Sequence, residues 1–263
     1  MADESRPLSG QVAVVTGASR GIGKAICLDF AKAGADVVVS ARTSAESPSK
    51  LPGTIEETAA AVEAAGARAL TVPTDVTDEG QVQALAKRAL DAFGRVDILV
   101  NNAGISSPAQ FKDTPLKRWD LVLNVNLRGP VMCMQAFLPH MLERGSARTG
   151  GRPAGRIINI SSYLAEVMLP GMISYSVSKI ALEKLTEYTA AELRSRGIAV
   201  NALRIEMNIA TEGWQFRNPD IDYSDWEKPD AASEATLWLA TRDLSYTGRI
   251  VTIEEVRKEM AAG

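Results

Sequence analysis

Short runs of β-branched residues recur along this chain, and a stretch of helical character separates each run from the next. Residues 12–16, 37–40, 69–72, 96–100, 156–160, 198–203 and 249–252 read as strands. Residues 22–33, 55–65, 81–92, 116–142, 175–196 and 231–240 read as helices, and Gly34, Gly66, Gly94 and Gly197 stand where four of them stop. Strands separated by helices cannot be hairpin partners; they form βαβ units and a parallel sheet. The unbroken apolar run at 96–100 fits a strand covered on both faces. The expectation is a doubly wound α/β fold with a seven-stranded parallel sheet, in one domain over residues 1–263.

Composition removes several function classes. With 29 basic and 32 acidic residues the net charge is −3, which leaves no electrostatic footprint for nucleic acid or an anionic membrane. Cys27 and Cys133 lie in apolar helical stretches, so neither a disulfide framework nor a cysteine zinc site is expected. The lone histidine, His140, follows Pro139 late in a helical run and reads as structural; no metal is expected. The N-terminal residues are acidic and polar, and no apolar run reaches the ~18 residues of a membrane span. The chain reads as cytoplasmic. Of two polar loops, 43–53 and 144–155, the second carries Arg144, Arg148 and Arg152 and reads as a solvated loop rather than an anion site.

Directly after the first strand comes Thr16-Gly17-Ala18-Ser19-Arg20-Gly21-Ile22-Gly23, which opens the first helix. Glycines there let the backbone turn sharply and a phosphate approach, and the helix N-terminus offers N–H groups and a positive dipole end. Four further motifs follow in order: Asn101-Asn102-Ala103-Gly104, Asn124-Val125-Asn126-Leu127, Ser161-Ser162, and Tyr175-Ser176-Val177-Ser178-Lys179. Together, from about residue 12 to 211, they resemble the short-chain dehydrogenase/reductase family.

That resemblance implies a Rossmann-type fold, a nicotinamide dinucleotide, a small carbonyl or alcohol substrate, and a homodimer or homotetramer. It implies catalytic roles for Asn126, Ser162, Tyr175 and Lys179. Ser162 would hold the substrate oxygen, Lys179 the nicotinamide ribose, and Asn126 a water relay behind Lys179. Cofactor contacts are implied for Gly17, Ser19, Arg20, Gly21, Ile22, Gly23, Asp75, Val76, Asn102, Ala103, Gly104, Tyr175, Lys179, Ile209 and Thr211. The second strand ends in Ser40-Ala41-Arg42 and lacks the acid that would hold a ribose 2′-hydroxyl. With Arg20 in the glycine loop, Arg42 points to NADP(H) over NAD(H).

Tyr175 and Lys179 are four apart, so one helix face presents both. Tyrosine, with a reference pKa near 10, is a poor proton donor at neutrality. An ammonium ~4–5 Å away at an effective dielectric of ~20 contributes about 3–4 kcal/mol, some 2–3 pKa units. The expected chemistry is hydride transfer to or from a carbonyl carbon, with Tyr175 moving the proton. The alternative is a cofactor-binding regulatory or scaffold protein with a vestigial site.

Two departures from the family stand out. Ile205-Glu206 replaces its usual Pro-Gly, and Thr252-Ile253-Glu254-Glu255 replaces its Asp-Gly-Gly. Between them, residues 212–226 carry Trp214, Phe216, Tyr223 and Trp226. This segment reads either as a lid over a hydrophobic substrate or as a loop covering its own small core.

Overall fold

The β-branched runs form the strands of one sheet in the computed structural model, which describes residues 6–145 and 153–262. In chain order the elements begin β1 (Val12–Thr16), α1 (Gly21–Lys32), β2 (Asp36–Ala41), α2 (Ile55–Ala64), β3 (Ala69–Pro73) and α3 (Glu79–Phe93). They continue with β4 (Ile98–Asn101), α4 (Leu116–Leu123), α5 (Gly129–Gly145), β5 (Gly155–Ser162), α6 (Ile173–Leu193) and β6 (Ile198–Ile205). The last are α7 (Glu212–Arg217), α8 (Pro229–Thr241), β7 (Ile250–Thr252) and α9 (Ile253–Ala262). The sheet runs β3-β2-β1-β4-β5-β6-β7, parallel throughout. This is the expected doubly wound Rossmann-type architecture. Alternation along β1 sends Ala13 and Val15 into a core with Ile26, Ile55 and Leu239. Val12 and Val14 enter a second core with Leu85, Phe137 and Leu193. Strand order reverses between β1 and β4, so a crevice opens beyond their C-terminal ends.

Besides the short α7, three elements differ from expectation. The strand expected at 96–100 is assigned from Ile98, although the Asp97 N–H still donates to the Val12 carbonyl at 2.9 Å; the Asp97 Oδ2 in addition accepts the Val12 N–H at 2.9 Å. Arg95 and Arg144 bind the same carboxylate at 2.7 and 2.9 Å. Arg144 therefore closes the last turns of α5 instead of opening a solvated loop; Arg148 and Arg152 lie outside the described residues.

The helix expected over 116–142 is interrupted by a π turn at Asn124–Arg128, where the Gly129 N–H donates to the Asn124 carbonyl. Pro130 explains the break, since it has no N–H for the carbonyl four residues back and its ring would collide with it. The whole 116–144 stretch is long and apolar enough to cross a membrane by composition alone, but half of its apolar window is buried in this fold.

The third difference joins both C-terminal departures. The Glu206 carboxylate accepts the N–H groups of Ile253 at 3.0 Å and Glu254 at 2.7 Å. It thereby adds to the local cap in which Thr252 Oγ1 accepts the Glu255 N–H at 3.1 Å, at the start of α9, a helix absent from the sequence reading. Cys27 and Cys133 are buried free thiols.

Candidate active site

The crevice is a cleft of about 360 Å³, walled by the glycine loop on one side and the Asn102–Ile105 segment on the other. Thr16 joins the walls: its Oγ1 accepts the N–H groups of Asn102 and Ala103, each at 3.1 Å. Asn102 returns the contact, its Nδ2 donating to the carbonyls of Thr16 at 2.8 Å and Gly17 at 3.1 Å. The walls touch so closely that a Cβ on Gly17 would lie 2.8 Å from Ala103 Cα, and one on Gly23 2.5 Å from Asn102 Nδ2. Gly17 also adopts a φ of +67°, open to glycine without strain.

At one end of the cleft lie Arg42, Asp75 and Val76. Arg42 is 61% exposed and stands 3.8 Å from Asp75. Arg20 also lines the cleft, but its Nε and Nη2 are engaged by the 49–53 loop. They donate to the carbonyls of Leu51, Pro52 and Gly53 at 3.2, 2.6 and 2.8 Å and to Ser49 Oγ at 3.1 Å.

The other end stops at Gly104 and Ile105, and the reacting groups gather behind it. A Cβ on Gly104 would lie 3.6 Å from both Asn126 Oδ1 and Lys179 Nζ. Asn126 spends its amide on three partners. Its Oδ1 accepts the Ile105 N–H at 2.8 Å, and its Nδ2 donates to Ile105 O at 2.9 Å and Ser178 Oγ at 3.0 Å. The π turn is what lets this buried side chain meet the Ile105 backbone. Ser162 ends β5, its Oγ accepting the Leu164 N–H at 3.3 Å, and the half-buried Tyr175 stands close to it.

Lys179 shares the α6 face with Tyr175, as the helical spacing suggests. Its ammonium donates to the Ile160 carbonyl at 2.7 Å and lies over the Tyr175 ring, 5.6 Å from its centre. Burial pushes the Tyr175 hydroxyl above its ordinary range, and the neighbouring Ser162 hydroxyl works against that. That net direction is opposite to the one the Tyr175–Lys179 spacing suggests. Burial also lowers Lys179 to about 8, with the Glu183 carboxylate pulling the other way.

Segment 206–227 crosses the open side of the cleft. Thr211 lines the cleft and caps α7, accepting the Trp214 N–H. Ile209 is buried and pairs with Glu227 instead of facing the cleft. Trp226 packs against Tyr223 and Trp214, with ring centres 4.9 and 5.9 Å away, so the aromatic segment covers its own cluster. Trp214 and Arg217 reach the cleft beside Arg20. Glu212 Oε2 accepts the Gly21 N–H at 2.8 Å. The donors at the start of α1 therefore suit an anionic oxygen, as a dinucleotide phosphate requires.

The short chain dehydrogenase family model matches residues 11–221. The chain belongs to the short-chain dehydrogenase/reductase family. Human hydroxysteroid dehydrogenase-like protein 2 is 38% identical over 255 residues, covering 96% of this chain and 58% of the human protein. The Mus musculus protein of that name is 36% identical over 254 residues, covering 96% and 50%. The chain thus spans little more than half the length of these curated relatives. A dehydrogenase from Xanthomonas campestris superposes with a TM-score of 0.82 at 35% identity, covering 97% of this chain and 90% of that one. A Beutenbergia cavernae structure, described as an NAD(P)-dependent gluconate 5-dehydrogenase with bound NADP, gives 0.79 at 32% identity over 94% and 96%.

As a short-chain dehydrogenase/reductase, the chain is of an oxidoreductase family that uses an NAD(P) nucleotide and small-molecule substrates. Sequence reading missed several residues of this short-chain dehydrogenase/reductase site. Glu183 accepts from Ser161 Oγ at 2.8 Å and is gripped by Arg204 Nη2 at 2.8 Å, bracing the strand end beside Ser162. Its position four residues beyond Lys179 on the same helix face was the available signal. Glu212 lacked any local signal, because its partner is 191 positions away.

Proposed function

We propose that this chain is an NADP(H)-dependent oxidoreductase that interconverts a hydrophobic ketone or aldehyde and its alcohol. The observation that carries the reading is the meeting of Ser162, Tyr175, Lys179 and Asn126 behind Gly104, at the closed end of a cleft suited to a dinucleotide. The nicotinamide, when bound, supplies or takes the hydride. Gly17, Ser19, Gly21, Ile22, Gly23 and Thr211 line the phosphate end, and Asn102, Ala103 and Gly104 form the opposite wall. Tyr175 gives its proton to the carbonyl oxygen, Ser162 holds that oxygen, and Lys179 orients the ribose.

Arg42 supports NADP(H), as does the NADP bound by the Beutenbergia cavernae neighbour. Exposed Val167, Met168 and Leu169, just beyond Ser162, supply an apolar surface for the substrate. The hydroxysteroid dehydrogenase-like relatives put steroids among the compounds to test. Leu116 and Leu121 on α4 and Val177, Ile180 and Tyr188 on α6 are exposed and support a homo-oligomer formed through these helices. Light scattering at micromolar concentration tests that assembly, and a monomeric mass counts against it.

The test of function is NADPH consumption across ketones, aldehydes, β-ketoacyl esters and steroids. Turnover with at least one class is expected. NADPH binding with no turnover of any class would favour a binding protein instead.

A further inference from the structure

Glu212 stands where the glycine loop is built to receive phosphate. Its carboxylate holds the Gly21 N–H at 2.8 Å, at the first residue of α1. That helix has no acid in its own first turn and no side-chain cap, so the negative charge its N-terminus favours arrives from the far end of the chain. The fit is close: a Cβ on Gly21 would lie 3.3 Å from Thr211 Cβ and 3.7 Å from Glu212 Oε2. Arg20, on the cleft wall, stands near both this carboxylate and Arg217. A phosphate and the Glu212 carboxylate cannot share the Gly21 donor, since each brings negative charge to the same N–H.

We propose that Glu212 is a built-in competitor for the cofactor's pyrophosphate, a residue that sets dinucleotide affinity by occupying the start of α1 until phosphate displaces it. The inference rests on the dinucleotide reading above. Because Glu212 is the first residue of α7, its displacement also moves the helix that carries Trp214 and Arg217 along the cleft.

The test is calorimetric titration of NADPH and NADH into the full chain and into Glu212→Gln. Glutamine keeps the length and an acceptor oxygen but removes the charge. Both dinucleotides are expected to bind about 3- to 10-fold more tightly to the variant, the range of a charge acting at a helix N-terminus. Glu212→Ala, which removes the carboxylate altogether, must shift affinity in the same direction. Adenosine 2′-monophosphate, which has no pyrophosphate, is expected to change less than about 2-fold. Unchanged or weaker dinucleotide binding overturns the proposal, and so does equal tightening of adenosine 2′-monophosphate. If neither dinucleotide binds wild type or variant, the dinucleotide reading falls first and the competitor with it.

Discussion

Lys179 donates its ammonium hydrogen to the carbonyl oxygen of Ile160 at 2.7 Å, tying α6 to the strand that ends in Ser162. The contact is fully buried, and burial holds Lys179 at about 8 against an ordinary 10.5. Between those values the unfolded chain binds more protons than the folded one, so this group makes stability rise with pH across that window. Below about 8 the cost of burying the charge is felt in full.

Lys179→Met should therefore stabilise the fold near neutral pH. The relieved charge contributes about 3 kcal/mol and the orphaned Ile160 carbonyl takes back roughly 1–2, leaving about 1–2 kcal/mol. The difference should shrink as pH rises through the window. Urea unfolding at neutral and alkaline pH measures it; a variant less stable than wild type near neutrality contradicts the account. Turnover should be lost in the same protein.

Tyr175→Phe keeps the ring and removes the proton. Turnover should fall at least ~100-fold, with cofactor affinity little changed. Single-turnover kinetics beside binding titrations separate the two effects. Near-normal turnover would remove Tyr175 from the proton-donor role.

Arg42→Asp addresses cofactor choice. Arg20 is engaged by the 49–53 loop, so Arg42 carries most of any 2′-phosphate preference. An exposed charge-assisted contact contributes about 1–1.5 kcal/mol, roughly 5- to 13-fold in NADPH over NADH. The ratio of kcat/KM for the two cofactors should fall by that factor in the variant and should also fall as salt rises in wild type. A wild-type ratio at or below one contradicts the assignment.

Glu206→Ala removes two of the side-chain hydrogen bonds at the start of α9 and leaves the reciprocal Thr252–Glu255 pair in place. The loss should cost about 1–2 kcal/mol and let residues 253–262 exchange amide hydrogens faster. Hydrogen exchange by mass spectrometry reads this directly. Unchanged protection in that segment would mean the cap is dispensable.

The parts of this fold most legible in sequence are those where chemistry and geometry make the same demand. Gly17 and Gly23 must be glycines because Ala103 and Asn102 press on them, so the glycine loop and the Asn102–Gly104 segment mark one packed unit. Strand positions were legible for a related reason: a parallel strand covered on both faces leaves a dense apolar run. What the sequence hid depends on partners far along the chain. The Asp97 carboxylate takes the Val12 N–H, Glu206 reaches the start of α9, and Glu212 reaches Gly21. The helical spacing of Tyr175 and Lys179 fixed their shared face but not the direction of the ammonium, which the Ile160 carbonyl decides.

The π turn at Asn124–Arg128 gives the helix two phases. It holds one residue more than α geometry requires, so α5 is rotated by about 100° relative to a straight continuation of α4. In the first phase Leu116 and Leu121 look outward; in the second Met132, Phe137 and Met141 are buried in the core. Asn126 sits at the seam, where neither phase governs. Removing one residue between 124 and 128 would bring the halves into register and swing Asn126 away from Ile105, disabling the site with every one of its side chains still present.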